Sequence, residues 1–97
     1  PANGFYVVGT ASFTGAKDAT FNGGMADDGQ LALFEDDGSL KRDSVGWGTA
    51  AGDYVEGSAA PKAPTNGSVA RKSDGVDTDD NAADFEAAAT PTPGAPN

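Results

Sequence analysis

The chain has 97 residues, a net charge of −9 and an isoelectric point near 4.1, so it allows one small domain and disfavours direct binding to nucleic-acid phosphates. Its sequence contains no His and no Cys, which removes the usual general base at neutral pH, the common zinc ligands and all thiol chemistry. No apolar run is long enough to insert into a membrane, and we expect no enzymatic activity.

Glycine and proline are frequent, and no stretch has apolar residues at helical spacing, so the composition favours short strands joined by turns. The first predicted strand is Phe5-Tyr6-Val7-Val8, an apolar run between two glycines that is typical of a strand buried on both faces. Residues 10–24 are predicted to form a loop that anchors Phe13 and Phe21 in the core.

A β-hairpin is the next predicted element. Residues 30–35 and 40–48 are predicted as its strands, joined by Asp36-Asp37-Gly38, since an Asp-Gly step tolerates the positive φ that tight turns require. Trp47 on the returning strand is expected to be a core residue rather than an exposed platform for sugars.

The second half of the chain is predicted to be poorer in regular structure. Residues 49–67 are expected to form a long loop, 68–72 a short strand, and Phe85 to lie in a last strand. Residues 90–97, rich in Thr and Pro, are predicted to form an extended exit in polyproline-like conformation. The predicted fold class is therefore all-β, as an antiparallel sandwich.

The acidic segment from Asp74 to Asp84 contains the candidate metal ligands. Asp77, Asp79 and Asn81 alternate along it, with Asp84 nearby, and hard cations such as Ca²⁺ prefer oxygen ligands of this kind. The alternative is that these side chains form Asx-turns with their own backbone. A helix–loop–helix calcium site is not expected, because Ala82 stands where that loop requires glycine.

Two further polar features have predicted roles. Arg71 precedes the acidic segment, and we expect its guanidinium to clamp a carboxylate of that segment bidentately in a structural role. Asn66-Gly67-Ser68 is an N-glycosylation sequon in a predicted surface loop, which allows a glycan at Asn66. The other acidic pairs, Asp27-Asp28 and Asp36-Asp37, are expected to be turn residues.

Several of these segments together resemble the lamin tail domain family, in its bacterial secreted type. Asp43-Ser44-Val45-Gly46-Trp47-Gly48 is similar to the family's D-x-V-G-[WY]-G signature. The closing pattern of the family, S-x-x-R, G-x-D-T-D-x-N, D-F and P-T-P-G, is similar to the segments that begin at Ser68, Gly75, Asp84 and Pro91. On this resemblance, residues 1–90 form the domain and 91–97 a Pro/Thr-rich exit segment.

The resemblance implies an immunoglobulin-like antiparallel β-sandwich that acts as a non-catalytic structural or interaction module, secreted or at the cell surface. The family's opening strands are not found in this chain. We therefore expect either a fragment of a longer chain or a sandwich completed by strand addition, from a protein partner or from copies of itself. The alternative function is a calcium-stabilised accessory domain of a secreted hydrolase such as a nuclease or phosphatase.

Overall fold

The computed structural model describes residues 4–97, which form short strands in two-stranded sheets and one helical turn. These residues pack as two compact units. The first runs up to Met25 and includes Thr92–Pro96, and the second contains Ala26–Pro91 and Asn97. In chain order the elements are β1 (Val8–Gly9), β2 (Ala19–Thr20), β3 (Gly29–Phe34), β4 (Lys41–Trp47), β5 (Ser68–Arg71), α1 (Asn81–Asp84) and β6 (Phe85–Ala88).

The first unit contains a short parallel pair, β1 with β2. Val7 supports this pair, because its C=O accepts from Asp18 N at 2.7 Å and its N–H donates to the Asp18 carboxylate at 2.7 Å. The prediction of a strand at residues 5–8 buried on both faces was wrong: only Val8 lies in a strand, and Phe5 and Tyr6 are 48 % and 73 % exposed. A run of this kind is buried only where a sheet covers each face, and a two-residue pair covers neither.

The predicted loop at residues 10–24 contains β2 but is otherwise irregular, and Phe13 and Phe21 are half-buried in it. The prediction of a polyproline-like exit was wrong at Thr92–Ala95. There Ala95 N donates to Thr92 O at 3.1 Å, and Gly94 has a φ of 74°. Pro followed by a glycine of positive φ is the pairing that a type II turn requires, so this Pro-Gly step bends the chain.

The predicted hairpin is confirmed in the second unit. β3 and β4 pair antiparallel, with a register irregularity between Leu33 and Phe34. The turn is closed by Gly38 N donating to Glu35 O at 2.8 Å, and Gly38 has a φ of 73°, which glycine adopts without strain. The Asp37 carboxylate accepts from Ser39 N at 2.9 Å, which confirms that this acidic pair is turn chemistry.

The outer edge of β4 is covered by residues that the sequence places in a loop. Ala60 N donates to Gly46 O at 2.8 Å and Ala60 O accepts from Gly48 N at 2.9 Å, so Ala60 forms an isolated parallel bridge beside Trp47. Trp47 is buried as predicted, and its Nε1 donates to Ala26 O at 3.0 Å. In the described part of the chain, the buried apolar residues are Trp47 and Ala60 alone, so the core is small.

β5 and β6 form a second antiparallel pair, which confirms the strands predicted at residues 68–72 and around Phe85. The helical turn α1 directly precedes β6 and lies in the segment predicted as an acidic loop. Across residues 4–97 the fold is therefore β-rich, as predicted, with small open sheets, and one of the three strand pairs found there is parallel rather than antiparallel. The predicted domain 1–90 includes residues 1–3, which lie outside the described residues.

Candidate functional site

Asn81 is at the centre of a buried polar cluster in the second unit. Its side chain is only 1 % exposed. The Oδ1 atom accepts from Gly46 N and from Glu56 N, both at 2.9 Å, and Nδ2 donates to Ser44 O at 3.3 Å. Since a carboxamide oxygen has two lone pairs, both are already used by backbone N–H groups. One side chain thus joins β4 to the loop at residues 49–67.

Asp80, the neighbour of Asn81, fixes the start of α1. Its carboxylate accepts from Ala82 N at 3.1 Å and from Ser58 N at 3.2 Å, which is the geometry of an N-cap that also ties down a loop. Asp79 adopts a φ of 61°, and its N–H donates to Asp77 Oδ1 at 3.0 Å. Short side-chain-to-backbone bonds of this kind are the Asx-turns that the sequence allows as an alternative to metal binding.

Asp84 ends α1 and is buried. Its two carboxylate oxygens accept from Thr78, one from the N–H and one from the hydroxyl, each at 2.7 Å. These two hydrogen bonds to Thr78, helped by the charge of Arg71, lower the pKa of Asp84 below its ordinary value. Asp84 is therefore a charged anchor that holds the acidic segment closed.

Arg71 joins the two sheets of the second unit. Its Nη2 lies 3.4 Å from Asp43 Oδ2 and its Nη1 lies 3.8 Å from Asp84 Oδ2, while its guanidinium carbon stands 4.4 Å from the centre of the Phe85 ring. Nη1 also donates to Val76 O. The predicted structural role is confirmed, but the predicted bidentate clamp is wrong, because the guanidinium donates one hydrogen bond to Asp43 and one to the Val76 carbonyl, and meets Asp84 only as an ion pair.

Three carboxylates from distant parts of the chain converge beside this cluster. Ligand oxygens of Asp43, Glu56 and Asp77 all lie within 4.8 Å of one another, and we call these residues the acidic triad. Burial, and then the negative charges of Asp77, Asp43 and Asp79, raise the pKa of Glu56 above its ordinary value, with Lys41 acting in the opposite direction. The triad concentrates negative charge that a cation would neutralise.

The sequence-predicted calcium ligands do not all lie together. Asp77 belongs to the acidic triad and Asp79 is near enough to affect Glu56, whereas the oxygens of Asn81 and Asp84 are engaged in the hydrogen bonds described above. Calcium binding stays a prediction. Sequence reasoning missed Asp43 and Glu56 as possible ligands, although Asp43 opens a stretch that resembles a family motif, because neither is close to the acidic segment along the chain.

The second surface feature is apolar. Leu31 and Leu33 on β3 are 54 % and 65 % exposed, and they lie on the same face of the strand because side chains alternate. Phe34, on the opposite face, makes an edge-to-face contact with Tyr54 at a ring separation of 5.8 Å. Exposed leucines at alternate positions of one strand are suited to contact with another apolar segment.

Asn66 is exposed in a turn closed by Gly67 N donating to Pro64 O at 2.9 Å, and it has a φ of 59°. A glycan at this residue stays a prediction. In the part of the chain that the structure describes, no helix has the length and apolar character needed to cross a membrane. No family model, no curated protein and no solved structure matches the chain.

Proposed function

We propose that this chain is a non-catalytic structural or interaction module of the extracellular space or the cell surface, built as an immunoglobulin-like sandwich of the lamin tail type. One observation carries the proposal: polar residues of the motifs that resemble this family contact one another or the backbone of the same cluster. Asp43 meets Arg71, Arg71 meets Asp84, and Asn81 bonds the backbone of Gly46. A motif whose polar groups are used in this way encodes a stable scaffold rather than a reacting group.

The exposed leucines of β3 support an interaction role. A small domain with little buried apolar surface gains stability when a partner covers such side chains. We propose that a strand from a protein partner, or from a copy of the chain, provides this cover. We propose secretion on the same basis, because the sequence resembles the bacterial secreted type of the family.

The size and activity of the purified protein test this function. We expect sedimentation velocity to show species heavier than the 9.6 kDa chain as its concentration rises, or upon addition of a partner. The variant Leu33→Lys is expected to reduce this association, and Glu86→Lys on β6 is the matched control with an exposed residue on another sheet. Turnover of phosphodiester, phosphomonoester or glycoside substrates that disappears in Asp77→Ala or Asp79→Ala would contradict a non-catalytic role.

The acidic triad favours a second candidate, a calcium-stabilised accessory domain of a secreted hydrolase. The ligand oxygens of its three carboxylates lie within 4.8 Å of one another, and although Arg71 pairs with Asp43, a bound cation would reduce the repulsion that remains with Glu56 and Asp77. If Ca²⁺ binds there, a hundredfold excess over its Kd stabilises the fold by about 2.7 kcal/mol.

Thermal melts in CaCl₂, MgCl₂ and EDTA test calcium binding. We expect Ca²⁺ to raise Tm more than Mg²⁺ does, and Asp77→Asn to remove the difference. Asp74→Asn, a neighbouring exposed carboxylate outside the triad, is the matched control. Equal shifts with both cations would mean simple charge screening and would end this candidate.

A further inference from the structure

The hydrogen bonds of β4 reveal which edge of the hairpin is open. Gly46 directs both of its backbone groups away from β3, because its N–H donates to Asn81 Oδ1 and its C=O accepts from Ala60 N. Its cross-strand partner is Gln30. In an antiparallel pair, opposite residues that do not bond each other both point outward, so the N–H and C=O of Gln30 face away from β4.

The same alternation applies one pair further along. Ser44 directs its C=O outward to Asn81 Nδ2, and its partner is Ala32. The peptide groups of Gln30 and Ala32 therefore form a free ladder edge on β3, whereas the far edge of β4 is taken by Ala60 and Asn81. Among the described strands, none pairs with this edge of β3. A row of unpaired backbone groups beside two exposed leucines is a template for strand addition.

The charges at the two ends of β3 indicate which kind of strand can pair with its open edge. Asp27 precedes β3 and Asp36 follows it, and both are exposed, so an acidic side chain stands at each end of the strand. The neighbouring Asp28 accepts from Thr49 N at 2.9 Å, on the β4 side of the hairpin, and Asp37 accepts from Ser39 N within the turn. Within residues 4–97, the ion pairs at these ends are Arg42 with Glu35 and Lys62 with Asp27, the latter at 3.5 Å. A second copy of the chain would add another net charge of −9 and is disfavoured by repulsion.

We propose that the occupant of this edge is an extended segment of a different protein, with aliphatic side chains at alternate positions and Lys or Arg at both ends. Its backbone pairs with Gln30 and Ala32, its aliphatic side chains cover Leu31 and Leu33, and its basic ends lie against the acidic ends of β3. This rests on the proposed interaction function and narrows the partner to one chemical class.

The test uses a fluorescent synthetic peptide in which Val and Thr alternate and Lys stands at both ends. We expect it to bind the full chain, measured by fluorescence anisotropy at low salt, and to shift the amide NMR signals of Gln30 and Ala32. The double variant Asp27→Lys with Asp36→Lys is expected to weaken binding roughly tenfold, as two reversed charge contacts of about 0.7 kcal/mol each imply. Glu86→Lys, a single acidic-to-basic reversal on β6 and so half the charge change of the double variant, is expected to leave affinity within about twofold of the unaltered chain.

Two control peptides separate strand pairing from charge attraction. A peptide with Glu at both ends, and one with N-methylated backbone along a single edge, are both expected to lose binding. Equal affinity for either control overturns the proposal, and because these comparisons use the unaltered chain, they hold even if the double variant fails to fold. If no peptide binds while sedimentation shows association that Leu33→Lys abolishes, a second copy is the occupant: the proposed function then stands and this inference falls.

Discussion

At the scale of single residues, the fold depends on buried polar groups more than on apolar ones. Asn81 and Asp84 are more deeply buried than Trp47. A buried side-chain amide that bonds the backbone of two segments stabilises both of them. If it is removed, each backbone N–H loses its acceptor and, because it is buried, has no water to replace it. The second unit is thus expected to be sensitive to substitutions that would be mild on the surface.

Replacing Asn81 by Ala tests this dependence. The change leaves Gly46 N–H and Glu56 N–H without their acceptor, and we expect a loss of about 3 kcal/mol in the free energy of unfolding. Urea titration followed by the fluorescence of Trp47, the one Trp in the chain, measures it. Asn22→Ala at an exposed position is the control and is expected to cost less than about 0.5 kcal/mol. Similar costs for both variants would show that the Asn81 cluster adds little.

Glu56 and Asp84 are expected to give opposite pH dependence. Because the pKa of Asp84 is lowered in the folded chain, its contribution to stability is complete above the unfolded pKa and is lost as pH falls through the folded value. Because the pKa of Glu56 is raised, its contribution is complete at acid pH and is lost as pH rises through the folded value.

Glu56→Gln is therefore expected to raise Tm at neutral pH, by an amount worth less than about 1 kcal/mol, and to change it little in acid. Asp84→Asn is expected to lower Tm at neutral pH and to matter less in acid. Melting curves across this range, monitored by circular dichroism, provide the comparison. A Glu56→Gln variant that is less stable than the parent at neutral pH would show that the carboxylate is needed there.

At the scale of elements, the hairpin was predictable because its signals are local. Alternating apolar residues and an Asp-Gly turn lie within one stretch of chain, and β3 and β4 follow from them. The bridge at Ala60 was not predictable, since nothing in a Gly- and Pro-rich loop indicates pairing with Gly46. The candidate metal ligands show the same contrast between local and distant signals. Spacing along the chain predicts Asp77 and Asp79, but it does not indicate that the fold places Asp43 and Glu56 beside Asp77.

Two glycines of the hairpin are expected to respond differently to substitution. A Cβ at Gly38 would meet nothing within 4 Å, so Gly38→Ala causes no clash. Its cost is the strain of an L-residue in the left-handed conformation, about 1–2 kcal/mol in the free energy of unfolding. Gly38→Asn is expected to cost less, because Asn tolerates that conformation. A Cβ at Gly46 would press into the Val55 side chain and lie 3.3 Å from Val55 Cα, so Gly46→Ala and Gly46→Asn both disturb packing. Urea titrations in which Asn rescues Gly46 as well would contradict this assignment.

At the scale of the whole molecule, the main feature is the excess of negative charge, which affects the stability of the folded state. The chain has 15 acidic and 6 basic residues, and of the four ion pairs found in residues 4–97, two are exposed and two belong to the partly buried Arg71. Exposed pairs contribute little, so the excess of negative charge opposes the folded state. A chain of this kind is expected to be more stable where counterions are abundant.

Sodium chloride is therefore expected to raise Tm at neutral pH. The screening length falls from about 10 Å at 0.1 M to about 3 Å at 1 M, which weakens repulsion between carboxylates on the surface. The effect is expected to shrink in acid, where carboxylates are protonated. Calorimetry at several salt concentrations and both pH values measures it, and a Tm that falls with added salt at neutral pH would mean that attractive pairs outweigh the repulsion.

The shared acceptor at Asn81 has a consequence for how the chain opens. Gly46 and Glu56 bond the same oxygen, although that oxygen lies 35 and 25 positions away along the sequence. Their amide protons are therefore expected to show one common protection factor against exchange with deuterated solvent, set by a single opening event. The hairpin turn is closed by a hydrogen bond between residues close in sequence, so it can open and close independently of this cluster. Amide exchange is therefore expected to show two groups of protons in one short chain, one exposed by local fluctuation and one by cooperative unfolding.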